Sequence, residues 1–230
     1  QNKRQYNSQG SVCIWVGKTG QTTTTELLFG WADNNGTAAN DVAFVDFNND
    51  GLLDLYETTG GVVSGPNSYS DDDPLAEPNL LFVQGEKGRF SKVIPQGGTR
   101  ELLIGSSHGV ASGDIDGDGG IDLVVVNSNK PVNILKNVLT DRGNWIAYTL
   151  LNKHGAPAIG ATMEVVLNNG RSLFSQVQTS LGYASVHSPT LHFGIGKHAI
   201  EKVVITWKGG SQQVFENPDL NRMYTLKNAE

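Results

Sequence analysis

Asp41-Val-Ala-Phe-Val-Asp46-Phe-Asn48-Asn-Asp50-Gly51-Leu-Leu-Asp54-Leu-Tyr-Glu57 is the stretch that decides how this chain is read. A short apolar run, Val42 to Val45, enters, oxygen-bearing side chains follow at every second position, and an aliphatic-aromatic run leaves. Short apolar runs on either side of a turn signal suit strands, and neither run has a helical period. Gly51 falls where the chain must reverse, and glycine tolerates the positive φ that a sharp reversal requires. The stretch therefore reads as strand, tight acidic loop, strand.

The same unit occurs again 68 positions later (114 minus 46), as Gly109-Val-Ala-Ser-Gly-Asp114-Ile-Asp116-Gly-Asp118-Gly119-Gly-Ile-Asp122-Leu-Val-Val-Val126. Both loops follow Asp-x-[Asp/Asn]-x-Asp-Gly-x-x-Asp. Alternate positions of a tight loop turn their side chains toward one centre, so each loop offers a small cage of oxygens. Calcium wants six to eight oxygens at about 2.3–2.6 Å. The expected ligands are Asp46, Asn48, Asp50 and Asp54 with the Leu52 carbonyl, and Asp114, Asp116, Asp118 and Asp122 with the Gly120 carbonyl. Two Ca2+ ions are expected. Magnesium prefers octahedral sites and retains several waters, and zinc would want His or Cys, which neither loop contains. The loops look like the first half of an EF-hand loop, but strands rather than helices flank them. Without a cation, the four carboxylates of the second loop would repel one another.

Around these units the strand candidates are short and regularly spaced. Ser11–Val16 and Thr22–Phe29 precede the first loop; 79–84, 89–94 and 132–135 lie between and after the two copies. Residues 60–78 read as a long exposed loop. From Asn144 the acidic loops stop, and strand candidates follow at 145–150, 162–167, 172–178, 191–193, 202–207, 212–215 and 223–226. The expectation is an all-β protein, with a partial β-propeller-like repeat region of two to three blades or open sheets over residues 1–141. A small β-sandwich or barrel domain follows over residues 142–230.

The loops and their flanks resemble the FG-GAP/VCBS repeat family, in which a calcium loop joins strands of a propeller blade. Residues 144–226 look like the ASPIC/UnbV domain that often follows such repeats in cartilage-acidic-protein-like and bacterial secreted proteins. The matching stretches are Ile159-Gly-Ala161, Gly182-Tyr-Ala-Ser185, Leu191-His-Phe-Gly-Ile-Gly196 and Val204-Ile-Thr-Trp207. The resemblance implies a calcium-binding module outside the cytosol. A closed propeller needs about four to eight blades, and the repeat region is long enough for two or three. Either the chain is a piece of a longer polypeptide, or neighbours complete it, or its sheets stay open. Open sheet edges recruit other strands, which motivates self-assembly as an expectation.

The formal charge is −6. Nucleic acid or an anionic membrane surface would want basic clusters instead, and no apolar run is long enough for a transmembrane helix. Two calcium ions would bring −6 to −2, so part of the acidity reads as ligand charge. Cys13 is the single cysteine, which excludes an intrachain disulfide. Asn35-Gly36-Thr37 is a glycosylation sequon. The chain starts at Gln1, which reads as a processed start; the expected location is extracellular, secreted or luminal.

Enzymatic signatures are weak. Val16-Gly17-Lys18-Thr19 lacks the first glycine of a phosphate loop, and Gly194-Ile-Gly196-Lys-His-Ala199 lacks the strand-turn-helix context of a dinucleotide site. Ser185 has His187 and His192 nearby in sequence but no third member of a triad. His192 reads as a packed residue. The chain is accordingly expected to be a non-enzymatic, calcium-stabilised binding, adhesion or assembly module whose partner is another protein chain or a glycan. The rival readings are a structural subunit of a filament or large complex, and an accessory domain of a carbohydrate-acting enzyme with an acid pair among Asp71, Asp72 and Asp73. Tyr69 is the exposed aromatic that a glycan would meet.

Overall fold

The structure is a computed structural model that describes residues 39–61, 72–85, 88–128, 130–180, 182 and 185–228. The strands expected at Ser11–Val16 and Thr22–Phe29, and with them Cys13, the Asn35 sequon, Tyr69 and Asp71, lie outside the described residues.

The protein is all-β. Strand β1 (Ala39–Val45) pairs antiparallel with β2 (Asp54–Thr59), which pairs with β4 (Leu80–Gly85), and β4 with β5 (Arg89–Lys92). Strand β7 (Ser107–Gly113) pairs with β8 (Asp122–Asn127), and β8 with β9 (Asn133–Leu135). The short strands β3 (Glu77–Pro78) and β6 (Ile104–Gly105) pair with each other. Residues 60–78 are thus not exposed throughout: Ala76 is buried, and Gly61 donates its N–H to the Leu75 carbonyl. A small apolar side chain and a backbone that can join a ladder hold this end of the segment down.

The repeat seen in the sequence extends to the ladders. Val45 faces Asp54 and Gly113 faces Asp122, so each acidic loop closes on the same pair of positions. Each ladder has a register shift at its far end, between Ala39 and Asp41 in one and between Ser107 and Gly109 in the other. The two sheets pack their inner faces together through Ala43, Val45, Tyr56, Val110, Ile121, Leu123 and Val125. Neither repeat could bury its apolar face alone, which is why the unit comes in multiples.

The second core is larger. Strands β10 (Asn144–Leu151), β13 (Leu191–Gly196) and β16 (Arg222–Lys227) form one sheet, with β10 central and parallel to β16. Strands β12 (Ser172–Gln176), β11 (Thr162–Leu167), β14 (Ile200–Thr206) and β15 (Gln212–Glu216) form the other, in that order. Along β11 burial alternates, with Met163, Val165 and Leu167 inward. They meet Ile146, Tyr148, Leu150 and Ile195 of the facing sheet, and Ile205 and Trp207 of their own side join the same core. Each such side chain, fully buried, stabilises by about 1.5–3 kcal/mol. All described sheets have open edges, and among the described residues no helix is long and apolar enough to cross a membrane.

Candidate metal centre

Each loop is an eight-residue excursion between paired strands, and the two share one hydrogen-bond plan. In the first, Asp46 accepts the N–H groups of Asp50 (3.0 Å) and Gly51 (2.8 Å), and Asp50 accepts that of Leu52 (2.8 Å). In the second, Asp114 accepts from Gly117 (2.8 Å) and Gly119 (3.0 Å), and Asp118 from Gly120 (2.7 Å). Asn48 Oδ1 accepts from Asp50 N, as Asp116 Oδ1 does from Asp118 N. The closing carboxylates are held from both sides. Asp54 accepts from Phe47 and Gln84, and Asp122 from Ile115 and Asn137. Gly51 and Gly119 have φ of 83° and 81°, which a side chain would strain.

These carboxylates are not surface decoration. Asp54 and Asp122 are 0% and 3% exposed, and Asp46 is also buried. Burial pushes the Asp46 carboxyl up to about 7, with the neighbouring charges of Asp50 and Asp54 adding to it and the Gly51 N–H working against it. Burial also raises Asp54, to about 6. In both, removal from water disfavours the charged form. In the second loop, carboxylate oxygens of Asp114, Asp116 and Asp122 all lie within 4.8 Å of one another. In the first loop Asn48 stands at the position of Asp116 and donates its amide to Asp50 at 2.9 Å.

Asp118 is turned away from that trio. It pairs with Arg142 at 3.1 Å, while Lys136 Nζ contacts Asp116. The Lys136 hydrogen bond holds the Asp116 carboxyl below its usual range. Two side chains that motif reading does not find thus engage the second loop. Leu52 and Gly120 take the seventh position of their loops, where a main-chain oxygen was expected.

The loops are also where the two cores meet. Strand β13 crosses both: Gly196 donates its N–H to the Asn49 carbonyl (2.7 Å), and His192 Nε2 lies 3.1 Å from the Gly119 carbonyl. The acceptor there is a carbonyl, so His192 carries its proton on Nε2; burial lowers its pKa to about 4 and keeps the ring neutral. Its ring stacks on Trp145, with centroids 5.6 Å apart. A Cβ on Gly194 would collide with Asp46 Oδ2 and the Asn49 backbone, and one on Gly119 with the Trp145 indole. Within the segment Leu191-His-Phe-Gly-Ile-Gly196, Gly194 therefore answers to close approach and Gly196 to its φ of 61°. A cavity of about 320 Å³ lies beside this seam, and Asp46 and Asp114, the first carboxylates of the two loops, both border it.

The remaining candidates fall into structural roles. Ser185 donates to Asp41 (2.5 Å) and not to a histidine. His187 Nδ1 lies 2.7 Å from Ser112 Oγ and accepts the Ser112 N–H, so it braces β7. Asp73 accepts from Ser106 (2.8 Å) and lies 3.8 Å from Lys130.

Residues 152–230 match the family model described as ASPIC and UnbV. The resemblance expected of the C-terminal residues is met over that range. The chain is also 28% identical to cartilage acidic protein 1 of Xenopus tropicalis over 175 residues, which is 74% of this chain. It is 27% identical to the Homo sapiens protein of the same name over 100 residues, 42% of this chain. It spans 25% and 15% of the length of those two relatives.

Proposed function

We propose that this chain is a non-enzymatic, calcium-stabilised module that serves binding, adhesion or assembly in an extracellular setting. The observation that carries the reading is the duplicated loop: two copies of one hydrogen-bond plan present Asp46 and Asp54, and Asp114 and Asp122, as partly or fully buried carboxylates held by backbone donors. Such a charge cluster costs free energy until a cation joins it. Calcium fits the donor set. All side-chain ligand atoms are oxygens, and a bound ion would be held by Asp46, Asn48, Asp50 and Asp54 in one loop and by Asp114, Asp116 and Asp122 in the other. Asp118 joins the second set if Arg142 yields it. The relatives are named cartilage acidic protein 1, after a tissue that is mostly extracellular, which supports the extracellular setting.

Calcium would act as a structural ion. Binding the native state alone stabilises by about 2.7 kcal/mol when free calcium is a hundred times the dissociation constant. The open edges of the repeat sheets are the surfaces on which a partner strand, including one from a second copy or from the rest of a longer polypeptide, could add. Thermal melts in calcium and in chelator, paired with metal analysis, test the reading. A calcium-dependent rise in melting temperature with two ions per chain is expected; no rise and no bound metal would overturn it.

A further inference from the structure

We propose that the two calcium loops and strand β13 form one coupled unit, so that the ions bind cooperatively and each tightens the C-terminal sandwich onto the repeats. This rests on the calcium reading above and adds the regulation of those sites. The argument is carried by single peptide groups. A peptide unit is planar and rigid, so its N–H and C=O move together. In the unit joining Asn49 to Asp50, the N–H of Asp50 donates to Asp46 while the Asn49 carbonyl accepts from Gly196 of β13. In the unit joining Gly51 to Leu52, the Leu52 N–H donates to Asp50 while the Gly51 carbonyl accepts from Arg171 (3.2 Å). In the unit joining Gly119 to Gly120, the Gly120 N–H donates to Asp118. The Gly119 carbonyl there accepts from both His192 and Asn49 Nδ2 (3.0 Å).

One face of each loop therefore holds the carboxylates and the other holds the sandwich. An ion that fixes the carboxylates fixes the same peptide planes that β13 binds. The Asn49 amide carries the effect from one loop to the other, with a second link from Asn137 Nδ2 to the Phe47 carbonyl (2.9 Å). Asn137 in turn donates its own N–H to Asp122, the closing carboxylate of the second loop. Coupling between two such sites commonly amounts to about 5–150-fold in affinity. Asn49 and His192 act here as positioning residues.

The test combines calcium calorimetry on the full chain with amide hydrogen exchange at Gly143 and Gly196. Both of those amides donate into the first loop, to Asn48 and Asn49. Wild type is expected to bind two ions with a cooperative isotherm and to slow exchange at both amides by about fivefold or more. Asn49→Gly keeps every carboxylate and the freedom for positive φ; it is expected to bind two ions independently. His192→Phe retains a ring on Trp145 and removes the donor to Gly119, leaving every loop residue in place. It is expected to diminish the slowing at Gly196. Two bound ions with unchanged exchange at Gly143 and Gly196 would overturn the coupling while leaving the calcium reading intact. So would an Asn49→Gly isotherm as cooperative as that of wild type. Absence of any bound calcium in wild type would overturn both.

Discussion

Asn49 donates its side-chain amide to the carbonyl of Gly119, 70 residues away in the chain and 3.0 Å away in space. The residue is 0% exposed and sits at φ 58°, a conformation that Asn and Asp adopt more readily than other side chains. Asn49→Asp preserves that backbone preference and the shape, but turns a donor into an acceptor facing a carbonyl. It also buries a charge beside Asp46. Leaving an uncompensated charge buried costs about 3–5 kcal/mol. Urea unfolding in chelator is expected to show a loss of that order; a loss below about 1 kcal/mol, the net worth of an ordinary hydrogen bond, would show that the bridge does not join the loops.

Lys136 competes with a cation for the second loop. Its ammonium contacts Asp116 and is exposed, so it can leave, but an arriving calcium ion must displace it. Lys136→Ala removes the competitor without touching a carboxylate. Calorimetry is expected to show a few-fold tighter calcium binding at the second loop, with the first loop changing only through its coupling to the second. Weaker binding would mean that Lys136 supports the loop and does not contend for it.

Much of this was legible in the sequence because it is local. The acidic loops, their glycines and the strands on either side are set within stretches of under twenty residues, and the later strands of the chain fall where alternation places them. The seam between the cores was not legible. Gly194 faces Asp46, and His192 faces Gly119, only because β13 crosses loops lying more than seventy residues earlier. No periodicity encodes such a crossing. The same holds for Arg142 against Asp118, and for Ala76, whose burial depends on neighbours outside its own segment.

The raised carboxyls of the first loop make stability depend on pH in chelator, and bound calcium is expected to remove that dependence. Asp46 titrates near 7 in the folded chain against an ordinary value of 3.8, so the folded state binds the extra proton between those values. Stability in chelator is therefore expected to rise as pH falls from about 8 to about 6.5, chiefly as Asp46 takes up its proton, with Asp54 following near 6. Below that, His192 opposes the trend. Its folded pKa of about 4 lies under the ordinary 6.5, so the unfolded chain binds that proton more readily. In saturating calcium the ion stands where the proton would, so neither the folded nor the unfolded chain gains a proton at these carboxyls over that interval; the melting temperature is expected to stay level there while the calcium-induced rise shrinks. Parallel melts at several pH values read both slopes; matching slopes would show that Asp46 and Asp54 do not meet the ion.

Asn48 marks the difference between the loops, and reversing it separates affinity from stability. In the first loop its amide donates to Asp50 at 2.9 Å, easing the charge near Asp46 and Asp54. In the second loop Asp116 stands at the equivalent position and Lys136 supplies the balancing charge. Asn48→Asp makes the first loop resemble the second but brings no lysine. Without calcium the new carboxylate faces Asp50, and about 1 kcal/mol is lost with the hydrogen bond, together with added repulsion. With calcium the same charge becomes a further hard oxygen ligand, and ligand charge tightens binding. The expected outcome is a lower melting temperature in chelator, a wider gap between the chelator and calcium melts, and a lower dissociation constant at the first loop. A variant that melts lower in both conditions by the same amount would mean that position 48 does not reach the ion.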